Sequence, residues 1–404
     1  MKILVVTQLY PQPDDYGDNK PTKTVEYFAK EWVKKGHEVV IAHCSSKFPL
    51  PFYFIPPSIK NKLAGKTSNI FPPLSSRKKL AREEFGIKIY RYPMLKALPG
   101  KGYSPNAMLR QSREIVHDLE IINFLPDLVV GHFANPSTEL VSLIAKHYHC
   151  KSSIVFHGDC NEGTIEKYRL KFLVPTIGAV GARSEIEADK IQKLLALRER
   201  PFVCCSGVPN EALIQAATIC DKHNCKNGLK FLYVGSFIKR KHVEAVIEAF
   251  DKVATANDTL TIVGGGPEEE KLKELARQKN NKERIVFTGR VDRDKVLRYM
   301  KESNIFTLVS DGEVFGMVYI EAMLQGCLTI ASEGGGFDGI IKHQKNGYIC
   351  KPGDPVDLAS IYKEIQNSQC NELNQIGQNA IDTAMHYSEQ EVADVYLNNI
   401  LMRN

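Results

Sequence analysis

At 404 residues the chain is long for one hydrophobic core and suits two α/β domains. Its 43% hydrophobic and 25% charged residues lie near globular averages, which excludes a disordered chain or a fibrous repeat. The net charge is +6, and ten cysteines occur without any Cys-x-x-Cys pair, so buried reduced thiols are expected rather than a disulfide framework.

The chain opens with Lys2-Ile-Leu-Val-Val6 and breaks at Thr7-Gln8, too short an apolar run for a signal-peptide core and right for a buried strand. No later run approaches the roughly 18 to 20 apolar residues that span a bilayer. The expectation is a cytoplasmic protein. A helix is predicted over Thr22 to Lys35, then a strand at Glu38-Val-Val-Ile-Ala42. Next comes a basic stretch: from Ser58 to Lys101 there are 11 Lys and Arg against Glu83 and Glu84, a net +9, so the rest of the chain carries −3. Such clustering suits an anionic surface. Ile59, Leu63, Ile70, Phe71 and Leu74 lie among the charges, and Pro72-Pro73 prevents one continuous helix, so residues 58–101 are expected to rest on an anionic membrane. The protein would then be peripheral on the inner face of the cell membrane. No nucleic-acid partner is expected.

Strands follow at Asp127 to Val130 and Ser153 to Phe156, and Arg183-Ser-Glu-Ile-Glu187 reads as a capping box. After a boundary within Cys204 to Lys226 the pattern restarts. Leu229-Lys-Phe-Leu-Tyr-Val234 precedes a helix over Val243 to Ala254, then come strands near Leu260 to Val263, Ile285 to Phe287, Ile305 to Leu308 and Leu328 to Ala331. Short apolar strands alternating with amphipathic helices indicate parallel sheets covered on both faces. The predicted fold is α/β, two Rossmann-like doubly wound domains facing across a cleft. The first domain spans 1–210, the second 211–387, and residues 388–404 form a capped helix returning to the first domain, with Val392, Val395, Tyr396 and Ile400 as its apolar stripe.

Two motifs invite other readings. Asp292-Arg293-Asp294 matches an Asp-x-Asp metal pattern, but it precedes Lys295-Val-Leu-Arg-Tyr-Met300, where Asp292 reads as a helix N-cap. Gly264-Gly-Gly-Pro267 has the look of a phosphate loop. Glu268, Glu269 and Glu270 would repel a diphosphate there, so it reads as a tight turn with Pro267 at the first helical position. No metal site is expected, and no cofactor.

The stretch that carries chemistry is Asp311-Gly-Glu313-Val-Phe315-Gly316-Met317-Val318-Tyr-Ile-Glu321. Glu313 falls in a loop after a strand, Gly316 permits close backbone approach, and a helix begins near Met317. Free amides from Phe315 to Val318 can meet phosphates, while two carboxylates accept hydrogen bonds from sugar and ribose hydroxyls.

Glu313 and Glu321, with seven residues between them, resemble the Glu-x7-Glu element of retaining glycosyltransferases of family 4, which have the GT-B fold. Tyr10-Pro11, Pro126-Asp127 through His132, Phe156-His-Gly-Asp159, Tyr233-Val-Gly235, Ile262 through Pro267, Phe287 through Val291 and Lys345 through Tyr348 extend the resemblance along nearly the whole chain. The resemblance implies a donor that is a nucleoside-diphosphate sugar and an acceptor that is a glycan or a lipid-linked molecule, in cell-surface polysaccharide synthesis. It implies that Lys241 holds the donor diphosphate with Arg240 beside it, and that Ser236 stands where the family has arginine. Glu313 would bind donor-sugar hydroxyls and Glu321 the ribose, with Arg290 and Val291 against the base. Phe315, Gly316, Met317 and Val318 would supply the phosphate-facing backbone. His132 matches the histidine beside the reacting carbon, His157 is a secondary candidate, and Gly17 belongs to the loop after the first strand. A nucleotide-sugar epimerase or a non-catalytic sugar-binding protein of the same plan are the alternatives.

Overall fold

The computed structural model describes residues 1–13, 23–56, 73–98, 100–214, 216, 222–223 and 228–403. Gly17 and most of the first half of the basic stretch, Ile59, Leu63, Ile70 and Phe71 included, lie outside the described residues. The chain divides into two units: Met1–Arg183 with Glu187–Cys204 and Ala393–Asn404, and Ser184–Ile186 with Cys205–Val392.

In unit 1 the strands are β1 (Lys2–Thr7), β2 (Glu38–His43), β3 (Leu80–Glu84), β4 (Ile87–Arg91), β5 (Leu128–His132), β6 (Lys151–Val155), β7 (Ala179–Ala182) and β8 (Phe202–Val203). They form one sheet in the order β8-β7-β6-β5-β1-β2-β4-β3. All pairs are parallel except β3–β4. Leu4 stands beside Val40 and Val129, so β1 is central and apolar on both faces, as a covered parallel sheet requires. Helix α1 (Thr24–Lys34) buries Val25, Phe28, Ala29 and Trp32, spaced three, four and seven residues from the first. Helices α2 (Pro105–Ile121), α3 (Ser137–Tyr148) and α4 (Glu185–Leu195) follow in the chain.

The β3–β4 hairpin lies inside the basic stretch and changes its reading. Its turn is Phe85-Gly86, both with positive φ (54° and 74°), the conformation that two-residue hairpins favour. Several of the cations are engaged internally: Lys79 pairs with Glu114 and Asp118, and Arg82 with Glu84, Gln12 and the Pro11 carbonyl. Arg91 is buried and donates to the carbonyls of Ser75 and Lys78, and Lys96 is buried too. Lys78, Lys88 and Lys101 remain exposed.

Unit 2 contains β9 (Lys230–Ser236), β10 (Thr259–Gly265), β11 (Ile285–Gly289), β12 (Ile305–Leu308), β13 (Leu328–Ser332) and β14 (Tyr348–Cys350), all parallel, in the order β11-β10-β9-β12-β13-β14. The chain winds outward from β9 through β10 to β11, then returns to the other side of β9 at β12. The carboxyl ends of β9 and β12 are therefore a topological switch point, where ligands of such sheets bind. Helices α5 (Val243–Val253), α6 (Glu269–Arg277), α7 (Arg293–Glu302), α8 (Met317–Leu324), α9 (Pro355–Asn367) and α10 (Cys370–Met385) belong to this unit. The glycine turn after β10 is tight because a Cβ on Gly264, whose φ is +142°, would stand 1.9 Å from the Gly235 carbonyl oxygen. Pro267 is not the first residue of α6, which starts two positions later with Glu268 as its cap residue.

The last helix, α11 (Glu389–Arg403), is capped by Ser388, whose hydroxyl accepts the Glu391 amide at 2.9 Å. Its apolar stripe is Val392, Ala393, Tyr396, Leu397 and Ile400, whereas Val395 is exposed. Within unit 1, Tyr396 packs on Phe28 and Trp32 with ring centroids 5.0 and 5.4 Å apart, and the Trp32 indole donates to the Ala393 carbonyl at 3.2 Å.

Candidate functional site

The switch point of unit 2 brings Lys241 to Glu313, 72 residues apart in the chain. Strand β9 ends at Ser236, and Phe237 turns back to donate its amide to the Gly265 carbonyl. A single turn of 3-10 helix, Lys239–Lys241, then points the lysine inward. Lys241 is 9% exposed, which is rare for lysine without a partner. Its partner is the Glu313 carboxylate, delivered by the loop after β12 and also held by the Ser310 hydroxyl at 3.3 Å. Arg240 adds a second cation 3.7 Å from the same carboxylate oxygen. The two loops are tied together by the Asp311 amide on the Arg240 carbonyl at 2.8 Å and by His242 on the Asp311 carboxylate at 2.7 Å.

After Glu313 the chain passes Val314 and the buried Phe315 to Gly316, the residue that precedes α8. A Cβ on Gly316, at φ +82°, would stand 2.6 Å from the Tyr319 ring, so glycine is required there. No side chain caps this end of α8, and Met317 and Val318 present its first amides half-buried. The loop is braced from behind by the Gly336 amide, which donates to the Glu313 carbonyl at 2.7 Å.

Glu321 has a different partner. It is one turn into α8 and half-buried, and Arg293 Nη2 meets its carboxylate at 2.7 Å. Burial raises its pKa above the ordinary glutamate value, and the Arg293 guanidinium opposes that rise. Arg293 opens α7, and the preceding Asp292 accepts the Lys295 amide at 2.8 Å, so Asp292 serves as the helix cap. Arg290 is exposed, with its side chain over Gly265 and its charge beside Glu269, and Val291 packs on the core of the unit. Ser236 is exposed, its carbonyl accepting the Tyr233 hydroxyl at 3.2 Å. Sequence reasoning passed over Arg293, His242 and Asp311. Arg293 sat between the two aspartates of a motif read only as a helix start.

In unit 1, His132 ends β5 fully buried. Its Nδ1 lies 3.0 Å from Nε2 of His157, and its Nε2 lies 3.4 Å from the Tyr396 hydroxyl. Burial, with the nearby Arg183 charge, pushes its pKa down to about 3, so the ring is neutral at ordinary pH. His157 is half-buried, stacked on Phe133, with its amide donating to Asp159 at 2.9 Å. His157 keeps partial exposure as a residue, whereas His132 has none.

The comparisons with known proteins bear on the family and the fold. Residues 218–383, most of unit 2, match the family described as glycosyl transferases group 1. The N-acetyl-alpha-D-glucosaminyl L-malate synthase of Bacillus anthracis is 34% identical over 129 residues, 32% of this chain and 33% of that protein. The chain thus spans about a third of the length of the first curated relatives it matches. The proposed teichuronic acid biosynthesis glycosyltransferase TuaC of Bacillus subtilis is 24% identical over 391 residues, covering 91% of this chain and 90% of that one. Among solved structures, Anabaena HepE in complex with UDP superposes with a TM-score of 0.66 at 15% identity, over all of both chains. No helix among the described residues is long and apolar enough to cross a membrane. Residues 218–383 thus match the glycosyl transferases group 1, and the chain as a whole has the fold of the solved GT-B glycosyltransferases.

Proposed function

We propose that the chain transfers a sugar, with retention of anomeric configuration, from a nucleoside diphosphate to a glycan or lipid-linked acceptor in cell-surface polysaccharide synthesis. The observation that carries the reading is the Lys241–Glu313 pair at the switch point of unit 2, with Arg240 beside it. When the sugar–phosphate bond breaks, negative charge grows on the departing phosphate oxygen. A fixed ammonium and guanidinium there stabilise the transition state more than the ground state. Glu313 accepts hydrogen bonds from donor-sugar hydroxyls, the amides of Met317 and Val318 meet the diphosphate, and Glu321 takes the ribose hydroxyls. In this reading the cations of the Lys239–Lys241 turn neutralise the leaving group without a divalent ion, because Asp292 is committed to its helix cap.

HepE is seen with UDP, and TuaC is named for teichuronic acid synthesis, which supports a nucleotide donor and a surface glycan. Contact with an anionic membrane would rest on Lys78, Lys88 and Lys101 together with Lys60, Lys62 and Lys66 of the undescribed segment. The test is nucleoside diphosphate release with and without acceptor, with the product's anomeric configuration read by NMR. An epimerised nucleotide sugar formed without acceptor, acceptor-independent release that yields a free epimerised sugar, or binding without any release contradicts the proposal.

A further inference from the structure

Unit 1 has a cavity that begins two residues beyond His132. Its volume is about 190 Å³, and it opens where Ala134, Asn135 and Pro136 leave the end of β5, against the start of α2 at Pro105 and Met108. Two aromatic walls, Tyr103 and Tyr168, close it, and its charged lining is Lys167, Arg169 and Glu139. Both walls are fixed. The Tyr103 hydroxyl is 2.8 Å from the Ser46 hydroxyl, and Gly102 lies so close to Tyr168 that a Cβ there would stand 3.3 Å from the ring.

The charges around this cavity do not balance. Glu139 is half-buried and has the Arg169 charge near it, which opposes the rise in pKa that burial causes. Lys167 donates to the Gly100 carbonyl and has its ammonium 5.2 Å from the Tyr168 centroid. Behind the Tyr103 wall stands Lys96, only 6% exposed, its ammonium 5.0 Å from the Tyr103 centroid. No carboxylate or carbonyl among the described residues receives the Lys96 side chain. Burial pushes its pKa down to about 8, and the Lys167 charge pushes the same way. A buried ammonium that is repelled by a second ammonium and lacks a counter-ion is unfavourable unless something else supplies the negative charge.

We infer that this cavity is an oxyanion subsite, taking the phosphate or carboxylate of a small hydroxylated acceptor. Lys167 and Arg169 contact the anion, Lys96 adds its field from behind Tyr103, and the faces of Tyr103 and Tyr168 cover the apolar side of the acceptor. The word acceptor rests on the glycosyltransferase reading. The anion subsite does not, and its test uses no donor.

Calorimetry with inorganic phosphate should show binding to the full chain that falls at least about 10-fold in Lys167→Gln and in Arg169→Gln, since each loses a charge-assisted hydrogen bond. Lys96→Met keeps the buried stem and removes the ammonium, so it should weaken phosphate binding while raising the melting temperature. A hexose phosphate and vesicles carrying an isoprenoid diphosphate, titrated separately, tell a soluble acceptor from a lipid-linked one. Phosphate binding that is absent, or equal in parent and variants, overturns the subsite, as does a Lys96→Met protein that melts lower and binds phosphate normally. Loss of nucleotide release with phosphate binding intact would instead count against the donor site alone.

Discussion

Arg293 Nη2 lies 2.7 Å from the carboxylate of Glu321, joining the first turn of α7 to the helix that follows the Glu313 loop. Burial makes ionisation of Glu321 costly, and the guanidinium offsets part of that cost. If the ionised carboxylate binds ribose, affinity for nucleoside diphosphate should fall as pH drops through a value above the ordinary glutamate range. Arg293→Gln removes the opposing charge, so the midpoint should move further up in pH, and Arg293→Lys should restore most of the shift. Titrating nucleotide binding from pH 4 to 8 checks this. A midpoint unmoved by Arg293→Gln would show that the pair is only structural.

The Lys241–Glu313 pair makes a stability prediction apart from catalysis. Both side chains are nearly buried, 11% and 14% exposed, so removing one partner strands the other. Glu313→Leu leaves Lys241 without its counter-ion and should cost on the order of 3 kcal/mol, whereas the double change Lys241→Met with Glu313→Leu should recover most of it. Lys241→Met alone should cost less, because Arg240 remains 3.7 Å from Glu313. Urea melts of the four proteins measure the coupling, and purely additive losses would contradict it.

Asp292 should matter to folding and not to turnover. Asp292→Ala removes the bond to the Lys295 amide and should lower stability by about 1 kcal/mol. Asp292→Asn keeps an acceptor and should be close to neutral. Excess chelator should leave turnover unchanged in all three proteins. Activity lost to chelator and restored by manganese or magnesium would mean that the cations of unit 2 do not suffice.

His132 links unit 1 to acid stability. Its folded pKa, about 3, lies below the unfolded value near 6.5, so between these limits the unfolded chain binds the extra proton. Stability from the neutral buried ring is complete above about pH 6.5 and is lost as pH falls toward 3. His132→Gln should melt lower at pH 7 and show a shallower loss of melting temperature on going to pH 4. An unchanged slope would mean that the ring does not resist protonation.

Much of the fold was legible because local chemistry and tertiary packing agreed. Asp292 and Ser388 cap the helices expected of them, and the apolar runs became central parallel strands. The failures have two causes: partners that the sequence does not place beside a residue, and local conformations that a residue type does not signal. Lys79 and Arg82 looked like free surface charge until Glu114, Asp118 and Glu84 were placed beside them. The β3–β4 hairpin was hidden because Phe85, unlike asparagine or glycine, does not advertise a positive φ. Val395 fitted a helical stripe, but Ala393 and Leu397 face the core instead. Arg293 could not be paired with Glu321 from spacing alone, since the two are 28 positions apart with a strand between them.

Nucleoside diphosphate release from a nucleotide sugar, in the presence of acceptor, is the most direct test of the donor site. The account predicts that Lys241→Ala and Glu313→Ala each slow release at least about 100-fold, the scale of one lost preorganised electrostatic contact, with nucleotide binding surviving better in Glu313→Ala. Release at near parental rate in both folded variants would contradict it.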